Sequence, residues 1–255
     1  MLTLSKYVLL DLLKNRSVLI YSVVLAILSF SLLSLDGNST KGLLSLLNIT
    51  LLFVPIITTL FATIYFFNSL EFIELLLSQP VKRASILLSE YAGMALSLAA
   101  AFAGGVGMPL LIMVPGAASL MLILTGVLLT FIFTAIALLI FVLSKDKTRG
   151  IGAAIIVSLF FTLLFDGLMM TFIYAFSEYP IDKALVGIMS FNPVDLGRVL
   201  MLLQLDVAVL MGYSGALFKQ FLGSASGSIY AIICMISWVA VPLLLSVRIF
   251  RRKDL

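Results

Sequence analysis

The sequence predicts an all-α integral membrane protein. It reads as six transmembrane helices, with an N-terminal interfacial helix before the first and a helical periplasmic insertion between spans five and six. Three observations predict this. The 255 residues are 62% hydrophobic and only 11% charged, against roughly a quarter charged in a soluble domain. Six stretches reach the length of about 20 apolar residues needed to cross about 30 Å of hydrocarbon. Lys and Arg divide unevenly between alternate connecting segments, as they do in proteins whose cytoplasmic loops hold the positive excess.

The elements follow in order within a single domain, 1–255. Residues 1–16 alternate Leu2, Leu4, Tyr7, Val8, Leu9, Leu12 and Leu13 with Lys6, Asp11, Lys14 and Arg16, the pattern of a helix lying along a membrane surface. The spans are read at 17–35, 43–67, 92–114, 118–144, 151–176 and 228–247. The first lacks the small-residue cleavage site of a signal peptide and is read as uncleaved. With the N-terminus inside, twelve basic residues lie on the inner side: Lys6, Lys14, Arg16, Lys82, Arg83, Lys145, Lys147, Arg149, Arg248, Arg251, Arg252 and Lys253. Only Lys41, Lys183, Arg198 and Lys219 lie outside. Both ends are therefore expected in the cytoplasm.

Between spans two and three, 71–91 reads EFIELLLSQPVKRASILLSEY. Glu71, Glu74 and Ser78 share one helical face, Phe72 and Leu75 to Leu77 are apolar, and Pro80 breaks the helix ahead of Lys82 and Arg83. Proline lacks the backbone donor and clashes with the preceding turn. A short amphipathic helix followed by a rigid break fits a docking surface that passes force to the spans. In the third span, Ala100 with Gly104 and Ala101 with Gly105 are small pairs that let helices approach closely. A neighbouring span of the same chain is their favoured partner, and Pro109 is expected to kink the helix.

The stretch 191–213, FNPVDLGRVLMLLQLDVAVLMGY, is apolar enough to invite a seventh span. A seventh crossing would put RRKDL outside and Asp206 near the bilayer centre, where an aspartate costs about 2.5–3.5 kcal/mol. The expectation is instead an external amphipathic helix within an outer subdomain, 177–227. Asn192 suits the N-cap, Pro193 the first helical position, and Asp195 the positive helix start. Leu196, Val199, Leu200, Leu203, Val207 and Leu210 form one stripe that must be buried on lipid, on the spans or on a partner.

The chemistry is sparse. There is no histidine and one cysteine, Cys234, so imidazole metal sites, His-based acid–base chemistry and a disulfide framework are excluded. No phosphate-binding loop of the G-x-x-x-x-G-K-[ST] type occurs, so any ATP must be bound by another subunit. Asp166 is read as the one acidic residue deep in a span. It is either a polar group on a pathway or at a dimer seam, or a carboxylate paired locally, for example with an outer-loop lysine, or held neutral. Met108, Met113, Met121, Met169, Met170, Met189, Met201 and Met211 lie toward the outer side. Thioethers suit Cu(I), but gap filling is the commoner use of methionine, and no metal ligand is assigned.

The interfacial helix, the six spans and ELLLSQPVKRASILLSEY resemble the ABC-2 type transporter permeases. FNPVDLGRVLMLLQLDVAVLMGYSGALF, residues 191–218, is similar to the matching region of the permeases in nitrous oxide reductase maturation systems. The resemblance implies a bacterial inner-membrane subunit that is itself no enzyme and binds no cofactor. It implies a homodimer, a cytoplasmic ABC ATPase (NosF-like) holding ATP and Mg, and a periplasmic copper-handling protein (NosD-like). Glu71, Glu74, Gln79, Pro80, Lys82 and Arg83 would then dock the ATPase. Asn192, Asp195, Arg198, Gln204 and Asp206 would meet the periplasmic partner, and Asp166 stays the pathway candidate. The rival classes are a secondary transporter using Asp166 and a non-transporting membrane anchor for a periplasmic assembly factor.

Overall fold

Six helices are long and apolar enough to cross a membrane: Arg16–Leu35, Thr40–Asn68, Arg83–Met113, Ala117–Leu143, Lys147–Ala175 and Ser226–Arg252. The computed structural model describes residues 12, 15–35, 39–79, 81–176, 182–205 and 212–252, leaving aside the side chains of 39, 182–184, 204–205 and 212–225. The expected interfacial helix at 1–16 falls almost wholly outside the described residues. Its Leu12 is helical and buried.

Span one is α1 (Arg16–Leu35) and span two α2 (Ser39–Asn68). The short α3 (Leu70–Leu77) leads to span three, built from α4 (Arg83–Phe102), a π-helical turn at Ala103–Gly107 and α5 (Met108–Met113). Span four is α6 (Ala117–Leu143). Span five is α7 (Lys147–Leu159), a second π turn at Phe160–Leu164 and α8 (Phe165–Ala175). Then come α9 (Asp182–Met189), α10 (Pro193–Leu205) and the long α11 (Gly212–Arg252), whose last part is span six.

The most enclosed span is α6, which packs on α2, α4, α10 and α11. Leu129, Ile132, Phe133, Ala137 and Leu138 along it have no exposed surface. Between helices in lipid the drive is close packing and internal hydrogen bonding rather than escape from water. Several hydroxyls within the spans accordingly return to carbonyls one turn back. Thr59 donates to Pro55, Ser97 to Gly93, Thr130 to Gly126, Thr134 to Thr130 and Ser246 to Pro242, all at 2.6–2.8 Å. Each hydroxyl that bonds locally spares a polar group the cost of facing hydrocarbon.

The small-residue stripe of span three packs inside the chain, on α1. A Cβ on Gly105 would lie 2.6 Å from the Ser22 carbonyl oxygen and 2.8 Å from Leu25 Cβ. Only a glycine allows the α1 backbone so near. The irregularity expected at Pro109 takes the form of the π turn just before it, with Pro109 in the first turn of α5.

Two boundaries differ from the sequence reading. Span three begins at Arg83 rather than at 92, because Ile86, Leu87, Met94 and Leu98 are buried on one continuous helix with the segment read as loop. The insertion between spans five and six does not sit wholly outside the bundle: α10 packs against α2, α6 and α11.

Candidate functional site

α9 and α10 form a hairpin whose tip, Ser190 to Asn192, is held at mid-height in the bundle. The Asn192 Nδ2 donates to the Phe161 carbonyl at 3.1 Å, and Phe161 is the midpoint of span five. The Trp238 Nε1 donates to the Ser190 carbonyl at 3.1 Å, and Trp238 is beside the midpoint of span six. The Phe161 and Trp238 rings meet edge to face at 5.3 Å. At 1.5 Å per residue, Phe161 is about 21 Å from either end of its span. The turn between α9 and α10 thus lies at the mid-depth of spans five and six.

A non-helical turn at this depth must have its polar groups satisfied by protein. Ser190 Oγ bonds the Val186 carbonyl at 2.8 Å and the Tyr230 hydroxyl at 2.9 Å. Asn192 Oδ1 accepts from the Val194 N–H at 3.0 Å, which caps α10. Its Nδ2 also donates to Asp195 Oδ2 at 3.0 Å. The carbonyl it reaches on span five lies in the π turn, where the regular i to i+4 ladder is out of step.

Above the tip is an ionic cluster. Arg198 places Nη2 2.9 Å from Asp166 Oδ2 and Nη1 3.1 Å from Asp195 Oδ1. One guanidinium thus serves two carboxylates, one on span five and one on its own helix. Arg198 also borders a small cavity of about 140 Å³ with Asn48, Leu51, Thr162 and Val194. Gly197 lets α10 lie close on α6, since a Cβ there would come within 2.9 Å of Thr125 Cγ2.

These positions correct part of the sequence reading. Asn192 has no exposed surface and Asp195 only 4%, so neither is presented to a partner on an outer face. The stripe residues Leu196, Val199, Leu200 and Leu203 are buried on the spans. The buried Asp195 carboxylate is answered by Arg198, and Arg198 in turn by Asp166. Asp166 is therefore paired, with an arginine of the insertion rather than an outer-loop lysine. The Gln204 side chain and all of Asp206 lie outside the described residues, as do Val207 and Leu210.

The opposite end of the bundle gathers the starts of α1, α4 and α7 with the ends of α2, α6 and α11. Lys147 Nζ donates to Asn68 Oδ1 at 2.7 Å. Asp146 caps α7 by accepting from the Arg149 N–H at 2.8 Å. From this end α3 projects with one residue, Ile73, fully buried. Glu71, Glu74, Phe72 and Leu75 are exposed together, and Gln79, Lys82 and Arg83 are exposed beyond them. Pro80 lies outside the described residues. A cleft of about 300 Å³ runs beside α3, lined by Phe67, Ile73, Glu74, Phe141, Lys145 and Phe250.

Sequence reasoning missed Glu90. It is buried within span three, and its Oε2 accepts from the Tyr65 hydroxyl at 2.7 Å. The signal available was the helical spacing of Ile86, Leu87 and Met94, which carries the span back past residue 92. Among the described residues no group of His, Cys, Asp or Glu is arranged to hold a metal ion.

A multi-pass helical membrane protein without a nucleotide loop, with an amphipathic helix projecting between spans two and three, has the makings of an ABC transporter permease subunit. The relatives agree. The chain is 28% identical to "Probable ABC transporter permease protein NosY" of Stutzerimonas stutzeri, over 95% of each chain. It is 26% identical to the protein of the same name from Pseudomonas aeruginosa, over 99% of this chain and 98% of that one. No family model matches. The chain thus resembles a NosY-type ABC-2 permease along nearly its full length.

Proposed function

We propose that this chain is the membrane subunit through which a separate cytoplasmic ABC ATPase drives export, or movement of a periplasmic partner, in copper-centre assembly of nitrous oxide reductase. The end-to-end likeness to permeases named NosY carries the reading. In this scheme both termini and α3 face the cytoplasm of a bacterial inner-membrane protein. Two copies pair, two NosF-like ATPases dock on α3 and on Gln79, Lys82 and Arg83, and a NosD-like protein sits on the far side. ATP and Mg are bound by the ATPase.

The physical support is the form of α3. Exposed Phe72 and Leu75, bordered on one side by Glu71 and Glu74, make a face with adjoining apolar and charged halves that a partner can cover. Its anchor Ile73 ties it to the spans. The hairpin offers the output: a helix pair fixed to spans five and six by polar contacts that a shift of either span would strain. The rival secondary transporter is weakened, because Asp166 is already occupied by Arg198.

Charge reversal at Lys82 and Arg83 tests the reading in the assembled complex. Reduced assembly or reduced ATP turnover is expected. Unchanged assembly and turnover would remove Lys82 and Arg83 from the docking surface.

A further inference from the structure

We propose that Tyr65 and Glu90 form a latch that makes spans two and three answer to α3 as one unit. They act as positioning residues for coupling, so the inference rests on the ATP-driven reading above. Tyr65 is in the last turn of α2 and Glu90 is two turns into α4. These are the two helices that α3 connects. The hydrogen bond between them, 2.7 Å, closes a loop of chain that contains the whole exposed docking segment. A displacement of α3 therefore meets a closed frame rather than two independent helix ends.

The surroundings extend the frame. Tyr91, next to Glu90, donates its hydroxyl to the Phe131 carbonyl of α6 at 3.1 Å. Ser69, at the joint between α2 and α3, donates its hydroxyl back to the Tyr65 carbonyl at 3.0 Å. Asn68 accepts from Lys147 at the start of span five. From one short stretch, contacts thus run to spans three, four and five.

Packing alone does not call for a carboxyl group there. Glu90 has no exposed surface, and its Oε1 has no hydrogen-bond partner among the described residues. A buried acidic group in a span is expensive and is retained where it has work to do. Half its hydrogen-bonding capacity is unused in this arrangement, so a second arrangement that engages Oε1 can compete with the first. Two arrangements of similar free energy are what a coupling element requires. Removing the Tyr65 donor leaves both oxygens without this bond, which biases such an equilibrium by roughly fivefold to a hundredfold.

The test uses the full chain assembled with its ATPase in lipid nanodiscs. An environment-sensitive fluorophore is attached at Leu111→Cys, on the exposed far end of span three, in a Cys234→Ser background. ATP turnover and the nucleotide-dependent fluorescence change are read together. For Y65F and E90L, turnover is expected to persist while the far-end response falls at least fivefold. E90Q, which keeps an acceptor for Tyr65, is expected to retain most of the response, and Y65F/E90L to be no worse than either single change. Full far-end response in Y65F with turnover intact would overturn the latch. If E90L does not assemble, the contrast between Y65F and E90Q decides it. A parent complex that hydrolyses ATP with no far-end response would instead overturn the transport reading beneath it.

Discussion

Replacing Arg198 with methionine keeps the length and apolar stem of the side chain and removes the charge. Asp195, 4% exposed, would keep the Asn192 amide but lose its counter-charge, and Asp166 would lose its partner guanidinium on α10. Removing one member of a buried ion pair costs about 3–5 kcal/mol. The Arg198 and Asp166 side chains are 37% and 38% exposed, so that arm is discounted for screening, leaving about 2–4 kcal/mol, mostly from Asp195. For a chain of this size each kcal/mol moves the midpoint by about 2–4 °C, so Tm should fall by roughly 5–15 °C. The single cysteine, Cys234, is half-buried in span six, and a thiol-reactive dye in mild detergent reads the unfolding. Adding Asp195→Asn to Arg198→Met should recover at least half of the loss, because the stranded charge is gone. An Arg198→Met protein that melts with the parent, or a double variant no better than the single one, would refute the claim that this pairing holds the hairpin in place.

Other outcomes follow from the same contacts. Trp238→Phe keeps the ring against Phe161 but withdraws the donor from the Ser190 carbonyl, costing about 1–3 kcal/mol in the same melting assay. Gly197→Leu drives a side chain into Thr125 and Leu51 and should cost about 1–3 kcal/mol or more through overpacking of α10 on α6. Ile73→Ala removes the buried anchor of α3. It should cost about 2–5 kcal/mol locally, and it should weaken ATPase co-purification while Phe72→Ala, on the exposed face, weakens co-purification without lowering Tm.

The spans were legible because a run of some 20 apolar residues has few other uses. Residues 17–35 and 118–144 match α1 and α6 closely. The start of span three was obscured by Glu90 and the charges at Lys82 and Arg83, which read as loop. Among the described residues it is the Tyr65 hydroxyl, on another helix, that partners the carboxyl group there. The hairpin was obscured for the same reason. Asp195 and Arg198 look like marks of an external helix until Asp166 is brought beside them, and that contact joins positions 32 apart in the chain. The N-cap at Asn192 was legible from Asn-Pro alone, whereas its second bond, to the Phe161 carbonyl, depends on a π turn that has no sequence signature. Which end of the bundle faces the cytoplasm rests on the distribution of Lys and Arg.

Coupling to a cytoplasmic ATPase through α3 requires an even number of crossings, with α3 and the C-terminal helix end on the cytoplasmic side. Single cysteines at Glu71, Arg252 and Ala117, in a Cys234→Ser background, can be exposed to a membrane-impermeant thiol reagent in intact cells. This topology predicts labelling at Ala117 alone, with Glu71 and Arg252 reacting only after the membrane is opened. Labelling of Arg252 from outside would contradict it.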